Sequence, residues 1–124
     1  GDTYVEINLS KQHLYFWEKG NIIIESDFVS GNMVKGMGTP GGIFPITYKE
    51  RNAVLKGTNY RTPVSYWMPF NGGIGMHDAP WRKEFGGTIY ETRGSHGCIN
   101  LPFEVAKEIY EHVEAGMPVI CYYE

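Results

Sequence analysis

Pro102-Phe103-Glu104-Val105-Ala106-Lys107-Glu108-Ile109-Tyr110-Glu111-His112-Val113-Glu114-Ala115-Gly116 is the one stretch of this chain whose apolar residues recur at helical spacing. Val105, Ala106, Ile109, Tyr110 and Val113 form a single stripe, and Glu104, Lys107, Glu108, Glu111 and Glu114 fall opposite it as a solvated face. Pro102 suits the first turn and Gly116 the position just past the last one, which predicts a helix over about 102–115. His112 lies beside the stripe's end and is assigned no role. Downstream, Met117-Pro118-Val119-Ile120-Cys121-Tyr122 reads as a closing strand.

Everything upstream has the character of strands and turns. Tyr4-Val5-Glu6-Ile7-Asn8-Leu9 alternates with the period of a half-buried strand. A polar turn, Ser10-Lys11-Gln12, leads to the strand-like run His13–Glu18, and Lys19-Gly20-Asn21 is a hairpin signal before Ile22-Ile23-Ile24. Ile43–Tyr48, Val64–Phe70 and Ile74–His77 are further strands, and Thr88-Ile89-Tyr90 is a short one. Residues 49–63 are poorly patterned and read as a long loop or short hairpin. The expected architecture is mainly β with one packed helix.

Composition narrows the class. At 124 residues, 42% of them hydrophobic, the chain suits one domain with a real core, and 16 Gly and 7 Pro without periodicity argue for many turns. A net charge of −3 and no basic run interleaved with aromatics argue against a nucleic-acid surface. No apolar stretch approaches the ~18 residues of a membrane span. With glycine at position 1 and no export signal, the expectation is a monomeric domain, residues 1–124, excised from a longer exported protein. Gly36-Met37-Gly38-Thr39-Pro40-Gly41 formally matches a dinucleotide fingerprint, but that motif needs a helix at its last glycine, and here Pro40 and a strand follow. Of two cysteines, Cys121 lies in an apolar run and reads as a small buried hydrophobe.

The other cysteine carries the chemistry. In Ser95-His96-Gly97-Cys98-Ile99-Asn100 the thiol stands just ahead of the helix, where dipole and free N–H groups would favour thiolate, the nucleophilic form. Gly97 allows a tight bend, and the Gly97 and Cys98 N–H groups are candidate oxyanion donors, one of which is worth roughly 3–4 kcal/mol in other enzymes. A cysteine nucleophile needs a base. His96 lies two residues away, and His77 lies 21 residues upstream at a strand end. Spacing alone leaves both open.

His77 followed by Ser95-His96-Gly97-Cys98-Ile99-Asn100 resembles the signature of the L,D-transpeptidase (YkuD-like) catalytic domain. The strand, Ser10-Lys11-Gln12 and the aromatics that follow resemble that family's first hairpin. Gly38-Thr39-Pro40-Gly41-Gly42-Ile43-Phe44 is similar to its T-P-x-G-x-F/Y block, and Gly116-Met117-Pro118-Val119 to its last strand. The resemblance implies a β-sandwich of mixed sheets, with Cys98 as nucleophile, His77 as general base and a backbone carbonyl near His77 or at Ser95 orienting the imidazole. It also implies that Ser95, His96 and Gly97 shape the pocket and oxyanion hole. Tyr66, Trp67, Met68, Trp81 and Asn100 are candidates for binding substrate, and Asp78 is read as a surface or loop-capping residue. The implied reaction is cleavage before the terminal D-Ala of a peptidoglycan stem tetrapeptide, thioester formation on Cys98, and transfer to a stem amine as a 3→3 cross-link. It needs no cofactor and no metal, takes place outside the cytoplasm at the cell wall, and makes carbapenems covalent inhibitors.

Other readings compete. Water in place of the amine would make an L,D-carboxypeptidase. Sortases need an arginine after the cysteine, and none follows Cys98; papain-like enzymes place Cys before His. His77, Asp78, His96 and Cys98 could instead bind zinc, although His-x-Cys is unusual ligand spacing. A wall-binding module without catalysis is the remaining alternative.

Overall fold

The computed structural model describes residues 2–124. Nine strands and two helices follow in order: β1 (Tyr4–Asn8), β2 (His13–Glu18), β3 (Asn21–Asp27), β4 (Gly42–Pro45), β5 (Glu50–Gly57), β6 (Tyr60–Asn71), β7 (Ile74–Asp78), α1 (Ile89–Arg93), β8 (Ile99–Leu101), α2 (Phe103–His112) and β9 (Pro118–Tyr122). They form two mixed sheets, ordered β3-β2-β1-β9-β4 and β5-β6-β7-β8. In the first, β1 is antiparallel to β2 and parallel to β9; in the second, β7 is antiparallel to β6 and parallel to β8. The mainly β expectation with one main helix holds.

The inward positions of β1 and β2, Val5, Ile7, Leu14 and Phe16, are sealed from solvent as their alternation requires. They meet Met68 of β6, Met76 of β7 and Ile99 and Leu101 of β8 in one core. The stripe of α2 completes it through Ala106 and Ile109, with Val113 just beyond. Among the described residues no helix is long and apolar enough to cross a membrane.

One open expectation is settled and two are corrected. Of the loop or short hairpin expected over 49–63, the hairpin forms: β5–β6, paired from Glu50↔Trp67 to Gly57↔Tyr60. Most β5 side chains are exposed, so no burial imposes a hydrophobic alternation on them. Thr88–Tyr90 is no strand; it enters α1, which buries none of its residues. That five-residue helix is held by tertiary capping, since Met33 N–H, Val34 N–H and the Asn32 side-chain amide donate to the Tyr90, Glu91 and Thr92 carbonyls. Lastly, α2 ends at His112, and Gly116, with φ of 93°, belongs to the turn into β9, its N–H bonded to the Ile46 carbonyl at 2.7 Å.

Gln12, part of a polar turn by sequence, is completely buried and adopts a positive φ of 54°. Its amide nitrogen donates to the Leu9 carbonyl (2.7 Å) and the Ser30 hydroxyl (2.8 Å), and its amide oxygen accepts from the Ser30 N–H (3.1 Å). The hairpin is thereby tied to the segment that pairs with β8, through the Val29↔Asn100 bridge. Gln12→Leu keeps the volume but orphans a buried N–H, hydroxyl and carbonyl. We expect a loss of about 2–4 kcal/mol in urea unfolding, because each orphaned group costs roughly 1–3 kcal/mol before relaxation. A loss below about 0.5 kcal/mol would contradict this view of the turn.

Candidate active site

The parallel pairing of β7 with β8 sets the site. Its register places Met76 beside Ile99, His77 beside Asn100 and Asp78 beside Leu101, with Cys98 immediately ahead of β8. His77 is buried between two tryptophans, its ring centroid 6.0 Å from those of Trp67 and Trp81. Its Nδ1 lies 2.7 Å from the Asp78 carbonyl oxygen. A carbonyl only accepts, so Nδ1 carries the proton and Nε2 the lone pair. Nε2 accepts from the Asn100 side-chain amide at 3.2 Å, while the Asn100 Oδ1 accepts from Arg82 Nε at 2.8 Å. Burial pushes the imidazole below its ordinary pKa, more strongly than the Asp78 carbonyl and charge pull it up.

Cys98 is half-buried, and its thiol donates to the Gly73 carbonyl at 3.5 Å. Burial pushes this thiol upward in pKa, partly offset by the Gly75 backbone amide. No hydrogen bond joins Cys98 to His77 among the described residues; the two groups face one cleft, and burial favours the neutral form of each. Here the sequence expectation of a dipole-stabilised thiolate is corrected. Strand β8 and Pro102 stand between Cys98 and α2, and a helix dipole acts only within about its first turn.

The turn carrying Cys98 is pinned from several sides. The Ser95 hydroxyl donates to the Cys98 carbonyl (2.5 Å) and accepts from the Gly97 N–H (3.1 Å). That N–H is thus engaged rather than free for an oxyanion, a second correction. Gly97 has φ of 127°, a conformation L side chains rarely adopt, and its carbonyl accepts from the Thr39 hydroxyl (2.6 Å). Thr39, itself buried, accepts from the Gly31 N–H (3.0 Å). Asp78 is not a surface residue: its buried carboxylate accepts from the Ser65 N–H (2.9 Å) and the Tyr66 N–H (2.8 Å) of β6.

The cleft holds about 310 Å³ and is lined by His77, Trp81, Arg82, Ser95, His96, Cys98 and Asn100, with Gly94 and, from the β5–β6 hairpin, Leu55, Tyr60 and Thr62. Six of the residues singled out from the sequence therefore share one cavity, and Gly97 lies buried beneath the turn. Tyr66 and Met68 are absent from its walls: both are in the main core, Tyr66 packed edge-to-face on Phe103 and tilted against Tyr110. Trp67 backs His77 from behind. Tyr60, whose ring lies 4.6 Å from that of His96, and Arg82 escaped sequence reasoning, since only the folded hairpin and loop bring them here.

Known proteins share this fold. The L,D-transpeptidase catalytic-domain (YkuD) family model matches residues 2–121. A crystal structure of Enterococcus faecium L,D-transpeptidase, a cysteine-to-serine mutant, superposes with a TM-score of 0.93 at 45% identity, covering 98% of this chain and 50% of that one. The catalytic domain of the E. faecium enzyme acylated by ertapenem gives 0.87 at 46% identity, covering 98% and 97%. L,D-transpeptidase 2 of Mycobacterium tuberculosis is 26% identical over 71% of this chain and 26% of its own. The chain spans about half the length of that Enterococcus crystal chain and no more than 64% of its curated relatives. With the family model covering nearly every residue and the cleft in place, the chain belongs to the L,D-transpeptidase (YkuD) catalytic-domain family.

Proposed function

We propose that this domain is an extracytoplasmic, cysteine-dependent L,D-transpeptidase acting on peptidoglycan stems at the cell wall, with Cys98 as nucleophile and His77 as base. The observation that carries it is the sharing of one solvent-open cleft by the Cys98 thiol and a His77 ring locked in the tautomer whose Nε2 bears the lone pair. The solved E. faecium domain acylated by ertapenem adds support for an acylable nucleophile.

Because burial favours the neutral form of both groups, deprotonation accompanies attack. Nε2 exchanges its Asn100 contact for the thiol proton as sulfur bonds to the carbonyl carbon before the terminal D-Ala of a stem tetrapeptide. With the Gly97 N–H held by Ser95, the Cys98 N–H is the donor for the oxyanion. Collapse breaks the C–N bond, the His77 imidazolium protonates the departing D-Ala amine, and a thioester remains. An amine from a second stem then attacks the thioester, His77 takes its proton, and Cys98 leaves and recovers one, completing a 3→3 cross-link. No metal or organic cofactor takes part in these steps. Among the described residues no group of three or more His, Cys, Asp or Glu is placed to hold a metal ion.

Incubation with a defined tetrapeptide stem should give cross-linked dimers in excess over released tripeptide; tripeptide alone would assign a carboxypeptidase. Cys98→Ala should abolish both products and the carbapenem adduct seen by intact mass. His77→Ala should lower the acylation rate by about 10²–10⁴-fold, the usual worth of a positioned base. If His96→Ala matches that loss while His77→Ala is mild, His96 is the base.

The pH dependence follows from the two shifts. A lowered His77 pKa keeps the base deprotonated below the ordinary histidine value of about 6.5, so the acid limb of the acylation rate should fall at a lower pH than that. A raised Cys98 pKa keeps the thiol protonated, so alkylation by iodoacetamide should climb only in the alkaline range. Rapid alkylation at pH 6, the mark of a resting thiolate, would refute the neutral pair.

A further inference from the structure

Beside the catalytic cleft lies a second one, of about 420 Å³, that no step above uses. Trp81 and Arg82 line both, so the two clefts are neighbours that share part of a wall. The second wall adds Lys83, Glu84 and Arg93, three cations in all against one carboxylate. None of the ion pairs found among the described residues involves Arg82, Lys83 or Arg93. Arg82 is held in place by neutral groups instead: Nε donates to Asn100 Oδ1 and Nη1 to the Arg93 carbonyl at 3.0 Å. A guanidinium has five N–H groups in a planar fork matched to a carboxylate, and these two bonds leave most of the fork open. Burial, and after it the charge of Arg93, push the Arg82 guanidinium below its ordinary pKa, as expected where two cations lie close together.

We propose that this basic cleft is a carboxylate subsite for the donor peptide, with Arg82 and Arg93 as its ligands and Lys83 adding charge; the inference rests on the peptide-donor reading of the cleft. Because the two clefts adjoin at Trp81 and Arg82, the carboxylate is assigned to the molecule whose carbonyl reaches Cys98. It is either the terminal carboxylate of the leaving D-residue or an acidic group on the other side of the scissile bond. Bound to Arg82, it lies at the end of a hydrogen-bonded chain running through Asn100 to His77 Nε2, so binding steadies the side chain that borders the base.

Cys98→Ala protein, which binds without cleaving, tests this by calorimetric titration with three synthetic tetrapeptide stems. One carries both carboxylates, one has the terminal group as carboxamide, and one has only the internal acid amidated. Loss of the carboxylate that the cleft holds should weaken binding about tenfold, as for a charge-assisted hydrogen bond. The amide that does so identifies the source. In Cys98→Ala/Arg93→Ala that preference should fall at least threefold. Arg93 is exposed, and the carbonyl that Arg82 uses survives the change. Equal binding of all three peptides, or a preference untouched by Arg93→Ala, overturns the subsite. Turnover by the unmutated protein is scored in parallel. Product without an Arg93-dependent preference retires the subsite alone, whereas that preference without product retires the transpeptidase reading and keeps the subsite.

Discussion

The parallel register of β7 on β8 is the constraint on which the rest of the molecule depends. It sets His77 beside Asn100 and starts β8 one residue after Cys98, so a base candidate and a nucleophile candidate reach one cleft from strands joined by a long connection. The register is held on the far side too, where Asn100 exchanges two backbone hydrogen bonds with Val29 (3.0 and 2.8 Å). A slip by one residue would turn Ile99 and Leu101, both sealed in the core, toward the cleft and drive Asn100 inward. Asn100 tolerates its own burial because its amide is occupied at both ends, by Arg82 and by His77.

Burial then decides the electrostatic state of the site. Desolvation moves the imidazole down and the thiol up, and both shifts oppose a resting thiolate–imidazolium pair. The fold supplies alignment instead of ionisation: one carbonyl fixes the tautomer of His77, and Ser95, Thr39 and a left-handed Gly97 fix the turn that carries Cys98. A neutral thiol reacts slowly with oxidants and adventitious electrophiles, since thiolate is the reactive form. In the proposed reaction, reactivity is then reserved for a substrate that brings its carbonyl to the sulfur while Nε2 takes the proton.

What was legible in the sequence was whatever the core enforces. The stripe from Val105 to Val113 and the alternation of Val5 and Ile7 bury those side chains, and the elements they predict are present within a few residues of their expected ends. The block Ser95–Asn100 was legible because glycine and hydroxyl groups in that order serve one tight turn. Features made by partners distant in sequence were not. α1 is stabilised by donors from residues 32–34, and Gln12 is buried because Ser30 returns to it. The dipole expectation failed because three residues pairing as β8 read, in isolation, like the approach to the helix. Arg82 carries no local signal at all; only the loop after β7 brings it against Asn100.

The β5–β6 hairpin shows how a poorly patterned segment is nevertheless placed. It supplies Leu55, Tyr60 and Thr62 to the cleft, yet its β5 side chains are mostly exposed, so burial contributes little to its position. Its root is instead tethered where β7 ends and can no longer accept from β6: there the Asp78 carboxylate takes the Ser65 and Tyr66 N–H groups. The carbonyl of the same residue takes the proton of His77 Nδ1. One residue thus orients the imidazole through its main chain and anchors the opposite wall through its side chain. The width of the cleft above Cys98 and the direction of the lone pair inside it are consequently set together, and a disturbance of the hairpin root reaches the imidazole through a single amino acid.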